Sequence, residues 1–344
     1  MPTAVNTDTV RWSLAEAEAL VVAALTASGA SPGNATPTAR ALVAAEADGQ
    51  AGHGLSRVPS YALHARVGKV DGFARPKLRE VAAAALAVDA GHGFAYPAIE
   101  LALQALVPLV RRMGIAVAVI TRSHHFGQAG AHAERLAREG LVALVFGNTP
   151  RAMAFWGGRR PALGTNPLAF AAPLPSESDP IVIDLALSVA ARGKIVAAQK
   201  AGREIPAGWA VDREGQPTTD PAAALAGTLL PIGGAKGGAL ALMVEILAAA
   251  LTGGSFGWEA SSMFDAEGGP PSMGHVIIAL DPAPLSGGAF ARRMTDAVAA
   301  MASEPDVRLP GSRRLESRAR AVREGIAIPA ALAAEIRQIA GNGK

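Results

Sequence analysis

The 344-residue sequence contains no cysteine. That excludes a disulfide framework, zinc ribbons, thiolate-held iron–sulfur clusters and any thiol nucleophile, and it fits a reducing, cytoplasmic compartment. Aromatic residues are scarce at 4%. The apolar half of the chain is therefore rich in alanine, which favours closely packed helices over a large β-sandwich. Lysine is rare too, six residues against 26 arginines. The net charge of +3 is spread along the chain. No basic run is interleaved with aromatics, so nucleic acid is not an expected partner. Long apolar runs are also missing. The longest, Gly237 to Leu251, would reach only about 22 Å as a helix and carries Glu245 in its middle. It reads as a buried helix, and no membrane partner is expected. The opening MPTAVNTDTVRWS has no cationic stretch leading into an apolar one, so no secretory signal is expected.

The familiar nucleotide fingerprints are absent as well. Gly91-His92-Gly93 lacks the third glycine of a dinucleotide turn. The run Gly233-Gly234-Ala235-Lys236-Gly237-Gly238 has no Ser or Thr after its lysine and is not a P-loop. Gly253 to Gly257 spells G-x-S-x-G but follows a helix, where no strained nucleophile elbow forms. No metal-ligand spacing occurs.

What is present is clear punctuation. The length predicts two or three domains, and 38 glycines with 24 prolines supply many turns. Ser13-Leu14-Ala15-Glu16 fits a capping box for a helix running to Gly29. Thr36-Pro37 predicts a second helix ending near Gly49, and a third begins around Ser56 to Pro59. From residue 80 strands and helices alternate: strands at 86–90, 115–121 and 141–146, helices at 98–113 and up to 138. Strands at 168–172 and 181–184, separated only by turn residues, predict a hairpin, which breaks the strict β-α-β rhythm of a doubly wound sheet. Helices at 188–200, 239–251 and 288–302, a strand at 275–280 and a helical C-terminus over 315–341 complete the reading.

Three constellations stand out chemically. Gly52-His53-Gly54-Leu55-Ser56-Arg57 places an imidazole, the usual proton-transfer group near neutral pH, four residues before a guanidinium fork suited to a carboxylate. A surface histidine with a solvated arginine is the plain alternative. Ser123-His124-His125-Phe126-Gly127 joins a strand to a helix start, where free backbone N–H groups suit an anion or the histidines simply cap the helix. Lys236 among four glycines suits a ligand approached closely by backbone, or is a flexible turn. The basic loop Arg308 to Arg314 also invites a phosphate.

Along nearly its whole length the sequence resembles the malate/L-lactate dehydrogenase-like family of NAD(P)-dependent oxidoreductases. The matching stretches are His53 to Arg57, Ser123 to Gly127, Leu163-Gly164-Thr165-Asn166-Pro167, Ile183-Asp184-Leu185-Ala186, Leu230 to Gly237 and Arg308-Leu309-Pro310-Gly311. Runs 248–259 and 307–320 look most like Δ1-piperideine-2-carboxylate/Δ1-pyrroline-2-carboxylate reductases. The resemblance implies a mixed α/β, non-Rossmann fold with a largely antiparallel sheet, and a homodimer. It implies a helical domain from residues 1–76 and 308–344, a cofactor and substrate α/β domain from 77–118 and 185–307, and a smaller α/β segment, 119–184, lining the active site. It makes His53 the proton donor, with Arg57, Thr165 and Lys236 binding substrate. His125, Phe126, Gly127, Asp184, Leu185, Ala186, Arg308, Leu309, Pro310, Gly311 and Arg313 would line the cofactor, NADPH or alternatively NADH. The implied reaction is reduction of a cyclic 2-imino acid, the alternative being dehydrogenation of a malate- or lactate-type 2-hydroxy acid. The imine-reducing relatives carry a serine and an aspartate where this chain has Gly52 and Lys194.

Overall fold

A serine side chain sets where the first helix begins. In the computed structural model, which describes residues 8–175 and 178–341, strand β1 (Thr9–Trp12) leads to α1 (Leu14–Ala27), and the Ser13 hydroxyl accepts from the Glu16 N–H at 3.1 Å. Helix α2 (Pro32–Ala47) starts four residues before the predicted Thr36-Pro37 cap. Ser31-Pro32 is a cap followed by a proline at the first helical position, and Asn34 donates to the carbonyls of Gly72 and Ala74, holding that first turn. Pro37 is thereby inside the helix. Two short 3₁₀ turns, Ala51–His53 and Leu55–Arg57, then lead into α3 (Val58–Arg66).

Strands β2 (Lys77–Ala82) and β3 (Ala85–Asp89) precede α4 (Ala95–Met113), β4 (Ile115–Ser123), α5 (Ala129–Arg138) and β5 (Val142–Gly147). The short β6 (Met153–Ala154) and β7 (Pro161–Leu163) come next, then the predicted antiparallel hairpin of β8 (Leu168–Ala172) and β9 (Ile181–Leu185). Ser176 and Glu177 of its connection lie outside the described residues. Helix α6 (Arg192–Lys200), β10 (Ala210–Val211), α7 (Pro221–Ala226), β11 (Thr228–Leu229) and α8 (Ala235–Glu245) follow. A π-helical turn, Ile246–Ala250, extends α8. The chain ends with β12 (Met273–Leu280), α9 (Pro282–Leu285), α10 (Phe290–Ala302), α11 (Ser312–Glu324), β13 (Ile326–Pro329) and α12 (Ala330–Gly341).

The main sheet has seven strands in the order β2-β3-β4-β12-β5-β8-β9, antiparallel at every pairing except β3 with β4. The fold is mixed α/β. Helices α4 and α5 bury Ile99, Leu103, Leu106 and Leu136 on one face of the sheet, in a core with Ile120, Val145 and Ile277. A second core joins the two ends of the chain: Trp12, Val21, Leu25, Leu42 and Tyr61 pack with Ile326, Ile328, Ile336 and Ile339. The antiparallel pair β1–β13, absent from the sequence reading, ties those ends by backbone bonds. Among the described residues no helix is long and apolar enough to cross a membrane.

The Gly237–Leu251 stretch corrects the expectation of a wholly buried helix. Ala241, Val244, Glu245 and Ala248 are buried, but Leu240, Leu242, Met243, Ile246 and Leu251 are exposed, and nearby Trp156 is 59% exposed. One side faces the core and the other forms an uncovered apolar stripe.

Candidate active site

Gly54 lets the His53 hinge sit tightly against α2. A Cβ there would lie 2.2 Å from Oε2 of Glu46, the same oxygen that accepts the Leu55 N–H at 2.8 Å. The hinge therefore delivers His53 and Arg57 into one place. The His53 ring stacks on that of His125 with centroids 5.5 Å apart and planes 14° from parallel. Arg57 donates from Nε to the Gly52 carbonyl at 2.7 Å, and its guanidinium lies over the Phe264 ring, 5.3 Å from the centroid. Among the described residues, neither terminal nitrogen of Arg57 has a hydrogen bond or ion pair, so the carboxylate-matching edge of the fork is open.

Burial of its ring, and then the neighbouring positive charge of Arg57, push His53 down to about 4. Among the described residues no carboxylate is bonded to it. Lys194 lies over the Trp209 ring, 6.0 Å from its centroid. His53 is thus a neutral imidazole near pH 7, able to accept a proton.

His125 is held from behind. The Tyr61 hydroxyl is 2.7 Å from its Nδ1, and burial together with Arg57 keeps the ring well below the ordinary histidine range. Phe126 turns inward: it is 1% exposed and stacks on His275 at 4.4 Å, while its carbonyl accepts from His132 at 2.8 Å. Its ring fills the core, leaving only its backbone for a ligand. Gly127, at φ 69°, turns the chain into α5.

Asp184 and the 308–314 loop meet in a cavity of about 380 Å³, lined also by Gln50 and Val182. Gln50 opens the turn that carries His53, so this cavity adjoins the histidine hinge. Asp184 accepts the Gly130 N–H at 2.8 Å; burial raises its carboxyl above the usual range, opposed by that bond and by Arg314. Leu185 and Ala186 beside it are exposed, as are Arg308 and Arg313. Arg314, which ends the basic loop singled out in the sequence, is buried and lines the cavity, and among the described residues its Nε and Nη1 have no hydrogen-bond partner. Its Nη2 pairs with Glu134, but the two unbonded nitrogens, beside Arg308 and Arg313, fit a phosphate-bearing cofactor.

Ion pairs hold that loop in position. Arg318 donates to both carboxylates of Asp48 and Glu134 at 2.7–3.0 Å, and Arg314 reaches Glu134 at 2.8 Å. Burial alone would raise Glu134, but bonds from Arg318, the charge of Arg314 and bonds from Arg138 hold it at about 2. This joins α11 to α2 and α5, elements 180 or more residues away in sequence, and no local motif announces it.

Thr165 and Lys236 are less directly placed. Thr165 takes the Thr149 hydroxyl on its N–H at 2.9 Å and accepts the Leu187 N–H. Asn166 adopts φ 41° and donates to Glu245 at 2.7 Å. Buried Glu245 also accepts from Asn148 and from the Gly257 N–H, so it gathers three loops. Lys236 is exposed in the first turn of α8. No hydrogen bond joins Thr165 or Lys236 to His53 or Arg57 among the described residues. Nor do these residues contain a group of three side chains that could hold a metal ion.

The buried histidines give stability a sign with pH. Burial lowers His132 to about 4 and His275 to about 3, in each case against a bond to a backbone carbonyl that works the other way. Their folded pKa values lie below the unfolded value of about 6.5, so the unfolded chain binds more protons in between. Stability is complete above that value and is lost as pH falls towards 4. Urea unfolding should give a clearly smaller free energy at pH 5 than at pH 7; equal values would mean that these rings are hydrated.

Residues 12–337 match the family described as malate/L-lactate dehydrogenase. A (2R)-3-sulfolactate dehydrogenase (NADP(+)) of Chromohalobacter salexigens is 53% identical over 328 residues, covering 95% of this chain and 97% of that one. A Δ1-pyrroline-2-carboxylate/Δ1-piperideine-2-carboxylate reductase of Pseudomonas putida is 44% identical, over 93% and 94% of the two chains. Among solved structures, Δ1-piperideine-2-carboxylate reductase from Pseudomonas syringae pv. tomato superimposes with a TM-score of 0.91 at 40% identity, over 96% of this chain and all of that one.

Proposed function

We propose, from the premise that the chain belongs to the malate/L-lactate dehydrogenase family of nicotinamide-dependent oxidoreductases, that it oxidises a small 2-hydroxy acid, with NADP+ as cofactor, and catalyses the reverse reduction. The observation that carries this reading is the neutral His53 imidazole, without a carboxylate partner, beside the open fork of Arg57. A neutral imidazole suits the oxidising direction, in which it takes the hydroxyl proton at C2. In the reducing direction the same group must carry a proton. A substrate carboxylate on Arg57 offsets the charge that depresses His53, so substrate binding itself favours the protonated form.

The cofactor, when bound, accepts or supplies the hydride. Arg308, Arg313 and Arg314 would hold its phosphates, with Asp184 lining the same cavity. The 53% identical sulfolactate dehydrogenase, whose name specifies NADP(+), supports both the hydroxy-acid chemistry and the choice of cofactor. A second reading, reduction of Δ1-pyrroline-2-carboxylate or Δ1-piperideine-2-carboxylate with NADPH, is supported by the relatives of that name and by the structural likeness. Gly52 and Lys194 place it second. We also assign a homodimer, supported by the apolar stripe of α8 and Trp156, which is unlike an ordinary monomer surface.

A panel decides the chemistry: 3-sulfolactate, malate and lactate with NADP+ or NAD+, and Δ1-pyrroline-2-carboxylate with NADPH or NADH, followed at 340 nm. Faster turnover of a hydroxy acid with NADP+ is expected. Turnover of the cyclic imine alone would replace the first reading by the second.

A further inference from the structure

Lys69 is a fully buried ammonium with no part in the chemistry above. It is 1% exposed, and its Nζ donates to three backbone carbonyls, Ser262 at 2.7 Å, Asp265 at 3.2 Å and Glu267 at 2.7 Å. Three N–H donors meet three acceptors, which is full satisfaction for a lysine. The Asp265 carboxylate, half-exposed, lies 3.7 Å away. Beside it, His64 bonds the Asp265 carbonyl through Nε2 at 3.0 Å, while its Nδ1 is 3.0 Å from Nε2 of His124. Segment 261–269 is thus strapped to α3 and to the histidine cluster by side chains about 200 residues away in sequence.

The strap carries Phe264, the ring under the Arg57 guanidinium. Two contacts fix that guanidinium: Nε on the Gly52 carbonyl and one face on Phe264. Only its in-plane edge remains for an incoming anion. Phe264 is itself 57% exposed, so the core does not hold the ring in place; the pinned backbone on either side of it does.

We propose that Phe264 is a positioning residue of the substrate site, acting through Arg57, and that Lys69 in turn positions Phe264. The strap holds the plane of Arg57, so that the fork meets the carboxylate of a 2-hydroxy, 2-oxo or 2-imino acid edge-on. Lys69 acts through Phe264 and touches no substrate. This rests on Arg57 as the carboxylate site, the reading given above.

The test is steady-state kinetics of the full chain with 3-sulfolactate and NADP+, or with Δ1-pyrroline-2-carboxylate and NADPH if that is what the protein turns over. Phe264→Ala should raise KM for the acid by about threefold to tenfold, the equivalent of a lost cation–π contact, with kcat and the cofactor KM little changed. Phe264→Tyr, which keeps the ring, should restore KM. Lys69→Met should raise the same KM, and the double variant should be no worse than the poorer single one, because both changes remove one arrangement. Unchanged KM in folded Phe264→Ala, or fully additive effects in the double variant, overturns the proposal. If Lys69→Met does not fold, the Ala and Tyr variants of Phe264 decide alone: loss with Ala and rescue with Tyr upholds the role of the Phe264 ring, and anything else overturns it. Arg57→Met separates the two levels. A raised KM there with none in Phe264→Ala overturns the strap only, whereas an unchanged KM in Arg57→Met overturns the carboxylate site itself.

Discussion

His53→Ala is expected to lower kcat by about 10²- to 10⁴-fold, the usual range for a lost general acid–base group, while cofactor affinity stays close to that of the parent protein. The asymmetry follows from placement. His53 closes its turn beside Arg57 and His125, whereas the cavity lined by Asp184 and residues 308–314 is built by other side chains. The pH profile adds a second readout. With the imidazole lowered to about 4, oxidation of a hydroxy acid should hold its kcat/KM from neutral into mildly acidic pH. It should fall only as His53 becomes protonated. In the alanine variant that acidic limb should vanish along with most of the rate. Turnover unchanged by the substitution would remove His53 from the mechanism.

Arg57→Met should act on the other kinetic constant. Losing a charge-assisted, partly desolvated pair costs about 2–5 kcal/mol, which appears chiefly as a raised KM for any substrate bearing a carboxylate. Methionine keeps much of the aliphatic volume, so a large effect reports the fork rather than a cavity. Arg57→Lys should recover only part of the affinity, because an ammonium cannot present two parallel N–H groups. The Arg57→Met change also alters His53. Removing the neighbouring cation takes away the second cause of its depressed pKa and leaves burial, so the acidic limb should move towards neutrality. An unaltered KM would make Arg57 a structural residue, bonded to Gly52 and stacked on Phe264 for its own sake.

Much of the architecture could be read directly. Ser13 and Glu16 marked a helix start because capping is a local bond. The strands over 115–121 and 275–280 were visible as β-branched apolar runs, and the 168–184 hairpin as two such runs around a turn. What escaped notice shares one physical trait. Strand β1 and its partner β13 are four residues each and separated by more than 300, so neither has a periodicity of its own. The two-residue strands of the small sheet β10-β11-β6-β7 depend on their neighbours in the same way. Helix α2 was placed late because two Ser/Thr-Pro pairs compete. Asn34, reaching across to residues 72 and 74, settles the choice.

The candidate site divides along the same line. His53 and Arg57 were found because their spacing is local, and the Ser123–Gly127 and Arg308–Gly311 runs because their resemblance is linear. Phe126 turned inward, Arg314 became buried against Glu134, and Lys69 took hold of a segment nearly 200 residues away. None of these is a property of spacing.

From residue order alone came the exclusion of thiol chemistry, the glycine hinge with its imidazole and guanidinium, and the family. Those depend on which atoms are present and on bonds between near neighbours. Tertiary structure alone decided that His53 is neutral, that Arg57 keeps one open edge, and that a buried ammonium pins the segment carrying the ring beneath Arg57. Desolvation and Coulomb interaction act through space, and the distances that set them exist only once remote segments have packed together.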